Sequence, residues 1–175
     1  MRGEKTKLHT RDLALTAVFA ALYAVGVLAF ASISFLIVQV RVADALIPLS
    51  IVFGWPAALG VTIGCAIANF ASGMSSALVL VDVTLGSVAN FIASMLAWRI
   101  GKSRAMPKSV GQLVGCLVAA LVVTFIVGTY LAVLYGMELW VWWIGIGAGS
   151  LISIFILGYI LVQIISRIHP VSDAT

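Results

Sequence analysis

Where the few charges fall constrains this chain more than any motif in it. Ten Lys/Arg and six Asp/Glu are spread over 175 residues, almost all of them between long apolar runs. Threading those runs through a bilayer six times places nine of the ten cations on one side. Arg2, Lys5, Lys7 and Arg11 precede the first run, Arg99, Lys102, Arg104 and Lys108 fill the one long basic gap, and Arg167 follows the last run. The other side keeps Arg41 together with Asp44, Asp82 and Glu138. Cytoplasmic loops of membrane proteins carry the Lys/Arg excess. The first group, and with it both termini, is therefore expected in the cytoplasm. The second group marks a polar region near the outer surface.

Composition agrees with a membrane protein. Charged residues make up 9% of the chain and hydrophobic ones 63%, where a soluble domain carries roughly a quarter charged residues. The net charge of +4 suits lipid headgroups better than nucleic acid. The first apolar run is followed by further runs and not by a cleavage site, so it reads as a span and not as a secretory signal. Cys65 and Cys116 fall mid-span in different segments and read as small core residues, with no metal-type spacing. The expected organisation is a basic N-terminal segment (1–11), one membrane domain (12–168) and a short C-terminal tail (169–175).

The apolar runs are 13–31, 44–54, 57–72, 83–98, 110–135 and 140–166. Trp55-Pro56 separates the second from the third. Reading 44–72 as one helix kinked at Pro56 leaves five spans and moves six cations outside against four inside. Six spans satisfy the charge rule and five do not. The second span is short: eleven residues at 1.5 Å each cover about 17 Å, against roughly 30 Å of hydrocarbon. Its outer end must start below the membrane surface, and the irregular stretch 32–43 is expected to dip down to it. Irregular backbone at that depth has to be buried in protein or line a cavity, so an outward-facing cavity is expected there.

Several polar residues converge on that region. In Gln39-Val-Arg41-Val-Ala-Asp44, Arg41 and Asp44 can pair, offsetting part of the ~2.5–3.5 kcal/mol that a charge costs at membrane depth on insertion scales. Asp44 also suits the N-cap of the second span. Asn69 lies near the outer end of the third span. Asp82 opens the fourth, and Asp82, Gly86 and Asn90, four apart, form one polar stripe. Glu138 and Trp140 occupy the last outer loop, with Trp142 and Trp143 beyond. The tryptophans read as an interfacial belt, with Trp140 also a candidate for stacking on a planar ligand. Each of these polar groups has a bland reading as a cap, a latch or an interhelical bond, set against the reading as walls of one ligand site.

Small residues mark packing faces: Ala17/Ala21 and Ala20/Ala24 in the first span, Gly60/Gly64 in the third and Gly111/Gly115 in the fifth. Such pairs let helices approach closely, and an Ala-lined first span can also dock a helix of another protein. Enzymatic motifs are missing. Gly101-Lys102-Ser103 imitates the end of a phosphate-binding loop, but Leu96 stands where that loop needs glycine. No HExxH motif and no nucleophile–base pair is present. The chain is expected to be no enzyme and to hold no metal or cofactor, and uphill transport would need an ATP-consuming partner.

The segments Gln39-Val-Arg41-Val-Ala-Asp44-Ala-Leu46, Gly60-Val-Thr62-Ile-Gly64-Cys65-Ala-Ile-Ala-Asn69 and Asp82-Val-Thr-Leu-Gly86-Ser87 resemble the QueT-type queuosine-precursor transporters. These are substrate-binding S-components of energy-coupling factor (ECF) transporters. The resemblance is carried by residues 10–98. It departs from the family pattern at Ala43-Asp44, where Ser-Glu is usual, and at Ala89-Asn90, where Ala-Thr is usual. It implies an all-α bundle of six transmembrane helices, a pocket near the outer surface, and a partner assembly of one membrane coupling subunit and two ATPases. It also implies contact between the coupling subunit and the first helix, here at Ala17 and Ala21. The implied substrate is a 7-deazaguanine such as preQ0, preQ1 or queuine. A carboxylate accepts the N1–H and amine of a guanine-type edge in parallel, through charge-assisted bonds worth about 1.5–3 kcal/mol each. Asp44 or Asp82 is expected at that edge, with Gln39, Arg41, Asn69, Asn90, Glu138 and Trp140 completing the site. Two further readings remain open: an S-component for another nucleobase or vitamin, and a non-transporting subunit whose polar groups only lock its helices.

Overall fold

A computed structural model of the chain describes residues 9–34, 39–71 and 76–168. The basic residues Arg2, Lys5 and Lys7, the tail 169–175 and part of the irregular 32–43 stretch lie outside the described residues. Among the described residues all regular structure is helical. Four helices are long and apolar enough to cross a membrane: α1 (Thr10–Ala29), α4 (Val79–Gly101), α5 (Lys108–Tyr135) and α6 (Leu139–Ile168). Two shorter apolar helices, α2 (Val42–Phe53) and α3 (Trp55–Phe70), lie between the first and second of these.

The break at Trp55-Pro56 is a true turn. Gly54 takes φ 73°, a conformation that costs a side-chain-bearing residue dearly, and it separates α2 from α3. Pro56 falls in the first turn of α3, where its missing N–H has no intrahelical partner to lose. The length expected for α2 needs correction. Its first eight residues, Val42–Leu49, wind as a 3-10 helix and only Ser50–Phe53 is α-helical. A 3-10 helix rises about 2.0 Å per residue, so α2 reaches roughly 22 Å instead of 17 Å. The tighter winding partly compensates for the shortness of the segment.

α1 and α3 pack face to face across Gly60 and Gly64. A Cβ on Gly64 would stand 2.7 Å from Tyr23 Cβ and 2.6 Å from the Ala20 carbonyl oxygen, so only glycine permits this approach. Gly115 meets α4 in the same way, 2.9 Å from the Ala97 carbonyl. The alanines of α1 divide by face: Ala20 and Ala24 are buried against α3, whereas Ala17 and Ala21 are exposed. Leu13, Val18, Leu22 and Val25 are exposed with them. The flanks of the bundle are thus apolar, whereas Arg41, Asp44 and Asp82 are buried inside it. Val133 and Leu13 are 77% and 69% exposed, while Asp82 is 2% exposed.

Candidate functional site

Five elements bring their polar residues to one end of the bundle: the C-terminal parts of α1, α3 and α5, and the N-terminal parts of α2 and α4. α1 supplies Tyr23, the stretch leading into α2 supplies Gln39, Arg41 and Asp44, and α3 supplies Asn69. α4 supplies Asp82 and Asn90, and α5 supplies Tyr130. All eight are buried. Arg41 and Asp82 form an ion pair with Nη2 and Oδ2 3.9 Å apart. Tyr130 donates its phenolic hydrogen to Oδ1 of the same aspartate. Tyr23 donates to Asp44 Oδ1, and its oxygen accepts from Asn90 Nδ2 at 2.8 Å. Asn69 Nδ2 donates to the main-chain oxygen of Asp82 at 2.9 Å and lies 3.6 Å from Cys65 Sγ. These contacts form two groups, Asp44–Tyr23–Asn90 and Asn69–Asp82–Arg41–Tyr130, and the Arg41 guanidinium interacts electrostatically with both carboxylates.

Local conformation explains how α4 contributes. Asp82–Gly86 is a π-helical turn inside a helix already under way at Ser76–Val81. The expectation that Asp82 opens the span therefore fails; it lies within the helix and caps nothing. The widened turn swings Asp82 and Gly86 toward α3 and α5, and such turns recur at functional sites. The absent side chain of Gly86 leaves the gap into which its neighbours project. A Cβ there would lie 2.8 Å from Asn69 Nδ2 and 3.3 Å from Tyr130 Oη. The stripe Asp82–Gly86–Asn90 is buried throughout.

Asp44 also departs from its expected role. The N-cap of α2 is Arg41, without a side-chain cap bond, while the Asp44 carboxylate is engaged by Tyr23 of another helix. Arg41 likewise reaches across to α4 while its charge also acts on Asp44, so one guanidinium serves carboxylates of two elements. Gln39 Nε2 donates to the Ser34 carbonyl, and Arg41 Nε donates to the same oxygen at 3.3 Å. Both ends of the stretch 34–41 are thereby drawn together. Its Gln39 carbonyl rests on Gly149 of α6, so closely that a Cβ at Gly149 would overlap it.

Glu138 and Trp140 stand apart from this cluster. Both are exposed, Trp140 to 61%, and Glu138 precedes α6 without a capping bond. Trp142 is buried and stacks on Tyr135 at 5.3 Å, and Trp143 donates to Thr129 Oγ1 at 3.1 Å. The structure therefore assembles Gln39, Arg41, Asp44, Asn69, Asp82 and Asn90 of the expected set. It adds Tyr23 and Tyr130, which the sequence reading had passed over. Their signal was depth: each places a phenol in an otherwise aliphatic stretch, level with the acids of neighbouring segments. Among the described residues no group of His, Cys, Asp and Glu is arranged to hold a metal ion. Cys65 and Cys116 are free and fully buried.

The model of one protein family, described as QueT transporter, matches residues 13–167. The match continues through α5 and α6, where the resemblance read from the sequence had thinned out. No protein of curated function and no solved structure matches the chain.

Proposed function

The chain belongs to the QueT transporter family and is a multi-pass membrane transporter protein, and from that premise we propose that it is the substrate-binding S-component of an ECF transporter. In this reading six segments cross the membrane, the segments 1–11 and 169–175 lie in the cytoplasm, and the buried polar cluster faces the outer leaflet. The cargo is a 7-deazaguanine such as preQ0, preQ1 or queuine. One membrane coupling subunit and two ATPases drive release inward.

One observation carries this reading: Arg41, Asp44, Asn69, Asp82 and Asn90 come together, buried, from three helices and the stretch leading into α2 at one end of the bundle. Helix locking needs only one or two polar bonds, each worth about 1 kcal/mol or less in a bilayer. Burying three formal charges together exceeds that need. A nucleobase of about a dozen heavy atoms reaches nanomolar affinity, about 12 kcal/mol, only if nearly every edge is met. The cluster supplies carboxylate, amide, guanidinium and phenol groups for those edges. Exposed Ala17 and Ala21 give α1 a smooth face for the coupling subunit's helix.

Titrating the purified protein in detergent with 7-deazaguanines by calorimetry tests the reading. Tight binding is expected, and Asp82→Asn is expected to abolish it while leaving a cooperative thermal transition. A different nucleobase or vitamin binding in its place would select the alternative cargo. The structural reading draws on the mutual hydrogen bonding of the cluster. It predicts loss of folding in Asp82→Asn and no ligand at all.

A further inference from the structure

The flank formed by α1, α2 and α6 carries an open groove of about 360 Å³, within the roughly 300–1,000 Å³ of small-molecule sites. Leu22 of α1 and Leu157 and Ile160 of α6 form its walls, and Gly26, Ala43 and Ala45 form its floor. Every residue lining it is apolar. Small residues keep the floor low: a Cβ on Gly26 would stand 3.1 Å from the Ala43 Cβ.

Depth says what fills such a groove. At 1.5 Å per residue, Leu22 stands about 17 Å from Arg11 along α1, and Ile160 about 11 Å from Arg167 along α6. Half of the hydrocarbon layer is about 15 Å, the reach of one acyl chain. The groove thus lies near the bilayer midplane, one chain length from the end of the bundle that bears Arg11 and Arg167. The surrounding material at that depth is hydrocarbon.

Charge argues for the same occupant. Arg11 lies about three turns from Leu22, and Arg167 about two turns from Ile160, so each cation shares a helix face with a wall of the groove. Both arginines are exposed, and neither forms an ion pair among the described residues. Basic residues at the ends of membrane helices attract anionic headgroups. The Ala17 face of α1 is a different surface. At about 100° per residue, Gly26 points away from Ala17 on the opposite side of the helix, so a helix seated on Ala17 and Ala21 does not fill the groove.

We propose that the groove holds one acyl chain of an anionic phospholipid whose headgroup is bound at Arg11 and Arg167. Seated there, the chain fills the gap between α1 and α6 over the 3-10 turns of α2. The site is separate from the buried polar cluster and takes no part in cargo recognition.

Native mass spectrometry of the full-length protein, titrated in detergent with phosphatidylglycerol or phosphatidylcholine, tests this. One phosphatidylglycerol is expected to be retained about thirtyfold more tightly than phosphatidylcholine, the factor that two arginines at a membrane surface supply. Arg11→Gln with Arg167→Gln is expected to erase that preference, whereas Lys102→Gln with Arg104→Gln in the α4–α5 connection keeps it. Leu157→Trp and Leu22→Trp each narrow the groove from one wall. Either is expected to weaken retention of both lipids about tenfold or more, since displacing two methylenes suffices for that. Both positions are at least one-third exposed, and a folding defect in one variant leaves the other to decide. Equal retention of the two lipids, or a preference that survives loss of Arg11 and Arg167 or vanishes with Lys102 and Arg104, overturns the proposal. Unchanged retention in a folded tryptophan variant overturns it as well. Retention of neither lipid gives the groove to a helix of another protein and removes the proposal. The cargo reading stands on other residues and survives each of these results.

Discussion

Tyr23 shows how much a single side chain settles here. Its oxygen accepts from Asn90 while its proton goes to Asp44, so α1, α2 and α4 meet at one hydroxyl. Tyr23→Phe deletes that oxygen and little else. The amide and the carboxylate each lose a partner in a buried setting, which costs about 1–3 kcal/mol per orphaned group. The melting temperature of the detergent-solubilised protein is expected to fall, and affinity for the cargo to drop at least about tenfold. Unchanged melting and unchanged affinity would show that the hydroxyl carries no load. Tyr130→Phe removes a donor from Asp82 but leaves the Arg41 ion pair in place. Its effect is expected to be smaller than that of Asp82→Asn, a ranking that thermal unfolding of the two variants checks directly.

Among the elements, two close glycine contacts place the site. Gly64 lets α1 approach α3, and Tyr23 lies on the very turn of α1 that Gly64 receives. In a free helix Gly→Ala would stabilise by roughly 1 kcal/mol. Here the added Cβ, 2.6–2.7 Å from α1 atoms, has to push the helices apart, at about 1–3 kcal/mol for overpacking. Gly64→Ala is therefore expected to lower the melting temperature despite the better propensity; a rise would show that α1 yields freely. Gly149→Ala strikes the Gln39 carbonyl instead. It is expected to dislodge the strap bearing Gln39 and Arg41, weakening cargo binding by about tenfold or more, with less loss of stability than Gly64→Ala. The sequence announced the spacing of Gly60 and Gly64, the stop at Trp55-Pro56 and the stripe on α4, because each is a pattern local to a short stretch of chain. It was silent on the 3-10 winding of α2, the π turn at Asp82–Gly86 and the pairing of Arg41 with Asp82. Those depend on which neighbour stands opposite, and a single strand of letters holds no record of that. The same blindness made Asp44 look like a cap, when its partner was a phenol 21 residues earlier.

For the whole molecule, the deciding quantity is which way the bundle faces. The polar cluster and the exposed basic residues Arg99, Lys102, Arg104 and Lys108 occupy opposite ends of α4, with Asp82 near its start and Arg99 near its finish. A transporter that gathers cargo from outside needs the cluster at the outer end, and the Lys/Arg excess then falls in the cytoplasm. Both native cysteines are fully buried and give little background to a thiol reagent, so single engineered cysteines can report sidedness. Ala105 and Met137 are exposed, in the α4–α5 and α5–α6 connections respectively. A membrane-impermeant maleimide is expected to label Met137→Cys in intact cells, and Ala105→Cys only after permeabilisation. The reverse pattern would put the cluster on the cytoplasmic side and end the uptake reading, whatever the cluster binds. Orientation also governs the exposed face of α1. Ala17 lies nearer the Arg11 end and Ala21 nearer the cluster, and both are exposed on that face. Bulky residues at Ala17 and Ala21 touch nothing buried, so cargo binding in detergent is expected to persist while uptake by cells supplying the coupling subunit and ATPases stops. Uptake that survived Ala17→Trp with Ala21→Trp would place the coupling surface on another helix, because two indoles on adjacent turns leave no room for a close helix–helix contact.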